Sequence, residues 1–197
     1  MFSAKFLTLL TERKTMSTSY KFSNPRGIYF ITFTTVNWID VFTRPIYKNI
    51  LIDSLNYCRK EKGLEIFAYV IMTNHIHLIA RAKEGFELSS IMRDFKKFTS
   101  KQILNAIVKN LQESRKEWML WLFKRAGQYN SNNTNFQFWQ QDNHPIELFK
   151  TETFHQKLDY IHNNPVEEGF VINPVDYKYS SARNFAGLDA VILIDKI

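Results

Sequence analysis

Apolar residues along the chain follow two rhythms, one of period two and one of period three to four. From Gly27 to Val36 the run Gly-Ile-Tyr-Phe-Ile-Thr-Phe-Thr-Thr-Val sets β-branched and aromatic residues between Pro25 and Asn37, which predicts a buried strand. Thr43 as a cap, Pro45 in the first turn, and Ile46, Ile50, Leu51, Leu55 and Cys58 at helical spacing predict a helix closed by Lys62 and Gly63. Leu64 to Met72 and His75 to Ala82 predict two strands, with Thr73-Asn74 as the tight hairpin between them. Phe86 to about Lys109 carries Leu88, Ile91, Met92, Phe95, Phe98, Ile103, Leu104 and Ile107, the stripe of an amphipathic helix.

Beyond that helix the rhythm lapses. Residues 110–135 read as an insertion with a Trp/Leu/Phe cluster that ends in the polar, mobile loop Gln128 to Asn135. Phe136 to Phe149 predicts a fourth strand, which Pro145 confines to an edge or bulge. Thr153 and Gln156 stand at capping-box spacing, opening a helix with the stripe Phe154, Leu158 and Ile161, and Pro165 is expected to end it. From Val166 on the pattern is irregular.

The order β-α-β-β-α-β with an extra C-terminal helix predicts an α+β fold, the ferredoxin-like split βαβ arrangement. Its four-stranded antiparallel sheet would carry two helices on one face. The expected organisation is a leader over residues 1–24, one domain over 25–187 and a tail over 188–197. The leader has a short apolar patch that runs into Glu12-Arg13-Lys14, so it does not read as a signal peptide, and Met16 is an alternative start. No apolar run is long enough to span a membrane.

Composition narrows the function classes. With 197 residues, 45% hydrophobic and 23% charged, the chain is an ordinary globular protein rather than a disordered or fibrous one. A single cysteine, Cys58, excludes an intramolecular disulfide and a cysteine-based zinc site, which points to a reducing, cytoplasmic setting. The net charge of +7 attracts polyanions. Residues 87–125 hold nine Lys/Arg against four Asp/Glu, and Arg93, Lys97 and Lys101 recur every four residues as a ridge suited to a phosphate backbone. Such a ridge equally solvates a helix. Trp118, Trp121 and Phe123 suit either base stacking or burial.

Two motifs carry candidate chemistry. His75 and His77 alternate in a strand, so both imidazoles leave one face about 7 Å apart along the backbone, a spacing that serves a shared divalent ion or two ordinary surface histidines. Tyr160 and Asn164, four apart, project together from one helical face beside the apolar stripe; their bland roles are a rim tyrosine and a helix-terminating amide. His144 in the fourth strand, and Lys157 and His162 flanking Tyr160, are further polar candidates, each with an ordinary surface role as the alternative.

Taken together, Thr73-Asn74-His75-Ile76-His77-Leu78 after Tyr69-Val70-Ile71-Met72, then Phe138-Trp139-Gln140, then Tyr160-Ile161-His162-Asn163-Asn164-Pro165-Val166 and Tyr179-Ser180-Ser181-Ala182, resemble the single-tyrosine HUH transposases, and among them the REP-associated tyrosine transposases. The resemblance runs from about Pro25 to Gly187. It implies a metal-dependent DNA strand transferase in which His75, His77 and Asn164 bind Mg²⁺ or Mn²⁺ and Tyr160 is the nucleophile, acting on single-stranded or hairpin repeat DNA as a monomer or homodimer. The insertion is longer than compact members need. Two other classes remain open at this level: a non-catalytic ferredoxin-like nucleic-acid binder, and a metallohydrolase of small phosphoesters with water as nucleophile.

Overall fold

The computed structural model describes residues 22–128, 135–141 and 145–196. Strands β1 (Tyr29–Thr34), β2 (Leu64–Ile71), β3 (His75–Ala82) and β4 (Ile146–Glu147) form one sheet in the order β2-β3-β1-β4. Every pairing is antiparallel. Helices α1 (Pro45–Glu61) and α2 (Leu88–Lys109) cover one face, and α4 (Thr151–Glu167) packs against β2 and β3. The α+β, split βαβ expectation therefore holds.

The two faces of the sheet follow from strand alternation. In β1 the odd residues Tyr29, Ile31 and Phe33 enter the core shared with Leu51 and Leu55 of α1 and Met92 and Phe95 of α2. Even residues point the other way, and Phe30 joins Val70, Ile79, Leu158 and Ile161 beneath α4. A register shift between Ile66 and Ala68 opposite β3 marks a bulge in β2. It explains how Leu64 and Ile66 share a face with Tyr69 and Ile71 despite the odd step in numbering.

Local signals held to within a turn, with instructive exceptions. Helix α1 ends where expected, because Gly63 takes φ +67 and a Cβ there would strike the Phe86 ring. Thr43 does not cap it: Arg44 holds the cap position without a side-chain bond, and Thr43 Oγ1 accepts from Arg115. Helix α4 starts at Thr151, so the Thr153/Gln156 pair lies inside it, and Pro165 sits within its last turn rather than ending it. A proline there forfeits the intrahelical bond that its N–H would have made. The fourth strand shrinks to two residues, with Trp139 bridging separately to Thr35.

The region read as losing its rhythm contains a helix, α3 (Lys116–Gln128). Its buried residues Met119 and Phe123 join the α1/α2 core, whereas Trp118 and Trp121 remain about half exposed (51% and 54%). Two large buried side chains four apart, with Gly127 a turn on, make a narrow stripe, easily masked by exposed tryptophans. The loop before it is held by Glu113, whose carboxylate takes Nε–H bonds from Arg44 (2.9 Å) and Arg115 (3.2 Å). Burial alone would raise that carboxyl, but the two guanidiniums keep it below the usual range.

The tail proves to be an edge cover. Ile71 N–H donates to Tyr179 O, Ser181 N–H to Tyr69 O, and Tyr69 N–H to Ser181 Oγ, so residues 179–181 lie along the open side of β2. Further along, Ile66 N–H donates to Asp195 Oδ2, and Asp195 is paired with Arg59. These bonds occupy donors that an edge strand would otherwise expose. A helical turn, α5 (Ala182–Phe185), follows the cover. Among the described residues no helix is long and apolar enough to cross a membrane.

Candidate active site

Alternation in β3 sends Ile76, Leu78 and Ala80 into the α1/α2 core and leaves His75 and His77 on the α4 side. Both are buried, with ring centroids 4.7 Å apart. Across the ladder His75 pairs with Thr34 and His77 with Thr32. The α4 face of β1 thus changes from aromatic at Phe30 to hydroxyl at Thr32 and Thr34, and the histidines sit above that change.

Helix α4 brings the second motif to the same place. The stripe Leu158 and Ile161 anchors it to the sheet, which turns Tyr160 and Asn164 towards the histidines. The Tyr160 ring meets His77 edge-on at 5.1 Å between centroids, and the residue remains 39% exposed. Of the seven residues named from the sequence as site residues, His75, His77, Tyr160 and Asn164 meet within one chain. Lys157 lies one turn earlier, with Nζ 5.5 Å from the Tyr160 ring centroid and 4.8 Å from that of Phe30.

Hydrogen bonds set the chemistry of each ring. His77 Nδ1 is 2.8 Å from Thr32 Oγ1, and His75 Nδ1 is 2.7 Å from Asn74 Oδ1. Asn74 Oδ1 can only accept, so the Nδ1 proton of His75 is committed to it and Nε2 keeps its lone pair. Burial pushes both imidazoles towards the neutral form, His77 down to about 3, helped by the charges of His75 and Lys157. Neutral imidazole is the form that ligates a metal.

Asn164 supplies the other half of the argument. Its Oδ1 faces the His75 ring, an approach that opposes the downward push on His75, yet this buried oxygen makes no hydrogen bond of normal geometry. A neutral His75 has no second proton to offer it. Two buried imidazoles with centroids 4.7 Å apart and an orphaned amide oxygen facing one of them are a donor set whose chemistry suits a divalent cation. Among the described residues no group of three His, Cys, Asp or Glu side chains is arranged to hold a metal.

Other sequence candidates fall elsewhere. His162 turns away from Tyr160: its Nε2 meets Ser181 Oγ at 2.9 Å and its ring packs on Phe185, tying α4 to the edge cover. Arg93, Lys97 and Lys101 stand on the solvent side of α2, in the layer behind the sheet from the histidines, and Arg93 is paired with Asp94. Phe123 is buried, which removes it as a stacking residue. His144 lies outside the described residues.

Sequence reasoning missed the loop that follows β1. Asn37 and Trp38 both take φ 53, the left-handed region that non-glycine residues rarely occupy, at a cost of about 1–3 kcal/mol each. Trp38 is 60% exposed and touches the His75 ring edge-on at 6.1 Å. One amide ties this loop to the site. Asn74 Nδ2 donates to Trp38 O (3.3 Å) and Asp40 Oδ1 (3.0 Å), while Asn74 Oδ1 takes the His75 proton. The signal within reach was the unusual Thr-Thr-Val-Asn-Trp run after a strand, but local propensity does not announce a left-handed pair.

With this geometry in view, comparisons place the chain. The IS200-like transposase family profile matches residues 25–125, a stretch that includes His75 and His77 and ends before Tyr160 and Asn164. Among solved structures, that of the REP-associated tyrosine transposase bound to a REP hairpin aligns with a TM-score of 0.63 at 22% identity, covering 92% of this chain and 93% of its own. A protein from Deinococcus radiodurans R1 with a provisional transposase assignment aligns at a TM-score of 0.44 and 16% identity, covering 73% of this chain and 94% of its own. No curated protein matches.

Proposed function

Since this chain belongs to the IS200-like transposase family, we propose that it cuts and rejoins single-stranded or hairpin DNA through a covalent tyrosine intermediate, with a divalent metal held by His75, His77 and Asn164. The observation that carries the reading is the convergence of Tyr160 with those three donors in a single chain, where Asn164 Oδ1 is buried without a partner. Mg²⁺ or Mn²⁺ is the metal that family likeness implies; two imidazoles and one amide favour Mn²⁺ of the pair. When bound, such an ion supplies charge neutralisation and orientation of the scissile phosphate.

The residues of the chain do the rest. Asn74 holds His75 in the tautomer that leaves Nε2 free, and Thr32 orients the His77 ring through Nδ1. The Tyr160 hydroxyl attacks phosphorus: its oxygen–phosphorus bond forms, the bond from phosphorus to the 3′ oxygen breaks, the phenolic proton is lost and the 3′ oxygen gains one. Lys157, with Nζ 5.5 Å from the Tyr160 ring centroid, would meet the negative charge that develops as the phenolic proton passes to solvent. The product is a 5′-phosphotyrosine with a free 3′-hydroxyl. Because the phosphodiester is exchanged rather than hydrolysed, a 3′-hydroxyl reverses the step without an external energy source.

Arg93, Lys97 and Lys101, on the layer behind the sheet, would hold a flanking stretch of backbone rather than the reacting phosphate. The protein works in the cytoplasm, and one chain suffices for the site whether it acts as a monomer or homodimer. The test is covalent trapping on labelled single-stranded oligonucleotides with Mn²⁺. Wild type yields a denaturation-resistant adduct carrying the 3′ fragment, and Tyr160→Phe yields none. Binding without any adduct would leave a non-catalytic nucleic-acid binder, and turnover that survives in Tyr160→Phe would indicate a water nucleophile.

A further inference from the structure

Four rings stand in sequence across the site. Tyr160 meets His77 at 5.1 Å, His77 meets His75 at 4.7 Å, and His75 meets Trp38 at 6.1 Å. Tyr160 and Trp38 therefore occupy opposite ends of the row, with the candidate metal ligands between them. Trp38 is 60% exposed, although the loop around it is heavily restrained. Thr35 Oγ1 donates to Ile39 O at 2.8 Å, Arg115 Nη1 to Asp40 O at 2.9 Å, and Asn74 Nδ2 to Trp38 O.

Two adjacent residues in the left-handed region, Asn37 and Trp38, make this a strained segment that its surroundings over-determine. Folding gains little from the arrangement, since the indole is left in water. An indole fixed in water beside a phosphate site suits one ligand class above others, an unpaired nucleobase offered face-on. The cation Lys157 lies at the Tyr160 end of the row.

In-line displacement fixes which base. With the reacting phosphate over the two imidazoles, in-line attack puts the leaving 3′ oxygen on the side of phosphorus away from Tyr160, the side on which Trp38 stands. We propose that Trp38 is a stacking platform for the base immediately 5′ of the cut, the nucleotide whose 3′-hydroxyl is released. This rests on the tyrosine reading above and deepens it. By stacking that nucleotide, Trp38 holds the free 3′-hydroxyl near the phosphotyrosine and favours rejoining over loss of the strand. The shared Asn74 amide keeps platform and His75 in one register.

The experiment scans 2-aminopurine through a single-stranded oligonucleotide that wild type cleaves, with Mn²⁺, in a Tyr160→Phe background so that the strand stays whole. Quenching is expected at the position directly 5′ of the cut. Trp38→Ala should restore that fluorescence and weaken binding by roughly tenfold to a hundredfold, while Trp38→Phe keeps most of both. With Tyr160 present, Trp38→Ala should also shift the balance from rejoined product to stranded adduct. Far-UV circular dichroism and melting of Trp38→Ala report whether the fold survives, and Trp38→Phe preserves the test if it does not.

Quenching confined to the 3′ side of the cut, or unchanged quenching and affinity in Trp38→Ala, overturns the platform. Failure of the tyrosine reading looks different: wild type then forms no adduct on any strand. The scan is in that case run on the strand bound most tightly, where quenching lost in Trp38→Ala but kept in Trp38→Phe supports stacking, and its absence overturns it.

Discussion

The two faces of the sheet are built from the same strands to opposite ends. Behind it, Tyr29, Ile31 and Phe33 of β1 and Ile76, Leu78 and Ala80 of β3 meet α1, α2 and α3 in a continuous apolar core. In front, the same strands offer Phe30 and Ile79 at one end and Thr32, Thr34, His77 and His75 at the other. Only half of the front face is core. The contrast shows how a small domain keeps polar donors buried without unfolding: the back face supplies the apolar burial, and the front face spends part of it on chemistry.

The sharpest way to break this contrast is at the front. Tyr160→Phe removes one hydroxyl from a ring that keeps its packing on His77 and Phe30, so covalent adduct should vanish while the melting temperature moves little. An adduct surviving in that protein would move the nucleophile elsewhere. Next in size, on the proposed metal reading, His77→Ala or chelation with EDTA should lower adduct formation by more than the roughly 10–100-fold that loss of an outer-shell partner costs. Titration with Mn²⁺ would show whether the residual activity still responds to the ion.

At the back the expected currency is stability. Phe95→Ala empties a fully enclosed site against Phe33 and should cost about 3–5 kcal/mol in a urea melt. If adduct yield at low temperature falls as far as in His77→Ala, the division of labour between faces is wrong. A smaller effect concerns pH. Burial lowers His162 to about 4, so between its unfolded value near 6.5 and that point the unfolded chain binds the proton and the folded chain does not. Stability should fall as pH drops from 7.5 to 5, less steeply in His162→Gln, and equal slopes would refute the linkage. Smallest is the ridge: Lys97→Ala and Lys101→Ala should each reduce the salt dependence of DNA binding by about one unit of slope, equally for cleaved and uncleaved strands.

Legibility in the sequence followed the range of the interaction. His75 and His77 were readable as a pair because strand alternation alone puts them on one side, and Tyr160 and Asn164 because a helix repeats every four residues. Helix α3 was not readable, since only Met119 and Phe123 are fully sealed among its large side chains and exposed Trp118 and Trp121 blur the stripe. The Tyr179-Ser180-Ser181 segment looked irregular because its hydrogen bonds go to Tyr69 and Ile71, over a hundred residues back. The spacing of Arg93, Lys97 and Lys101 was legible as one side of a helix, but not the layer on which that helix stands.

What the amino-acid sequence determined on its own was therefore local: which segments become strand or helix, and which side chains leave each element together. Tertiary structure decided which element faces which. It set α4 over the front of the sheet, turned the Asn164 oxygen to His75, and held Trp38 left-handed beside that ring. The physical reason is that periodicity is dictated by sterics within a few residues, whereas docking depends on burial and hydrogen bonds between segments far apart in the chain, which no local pattern records.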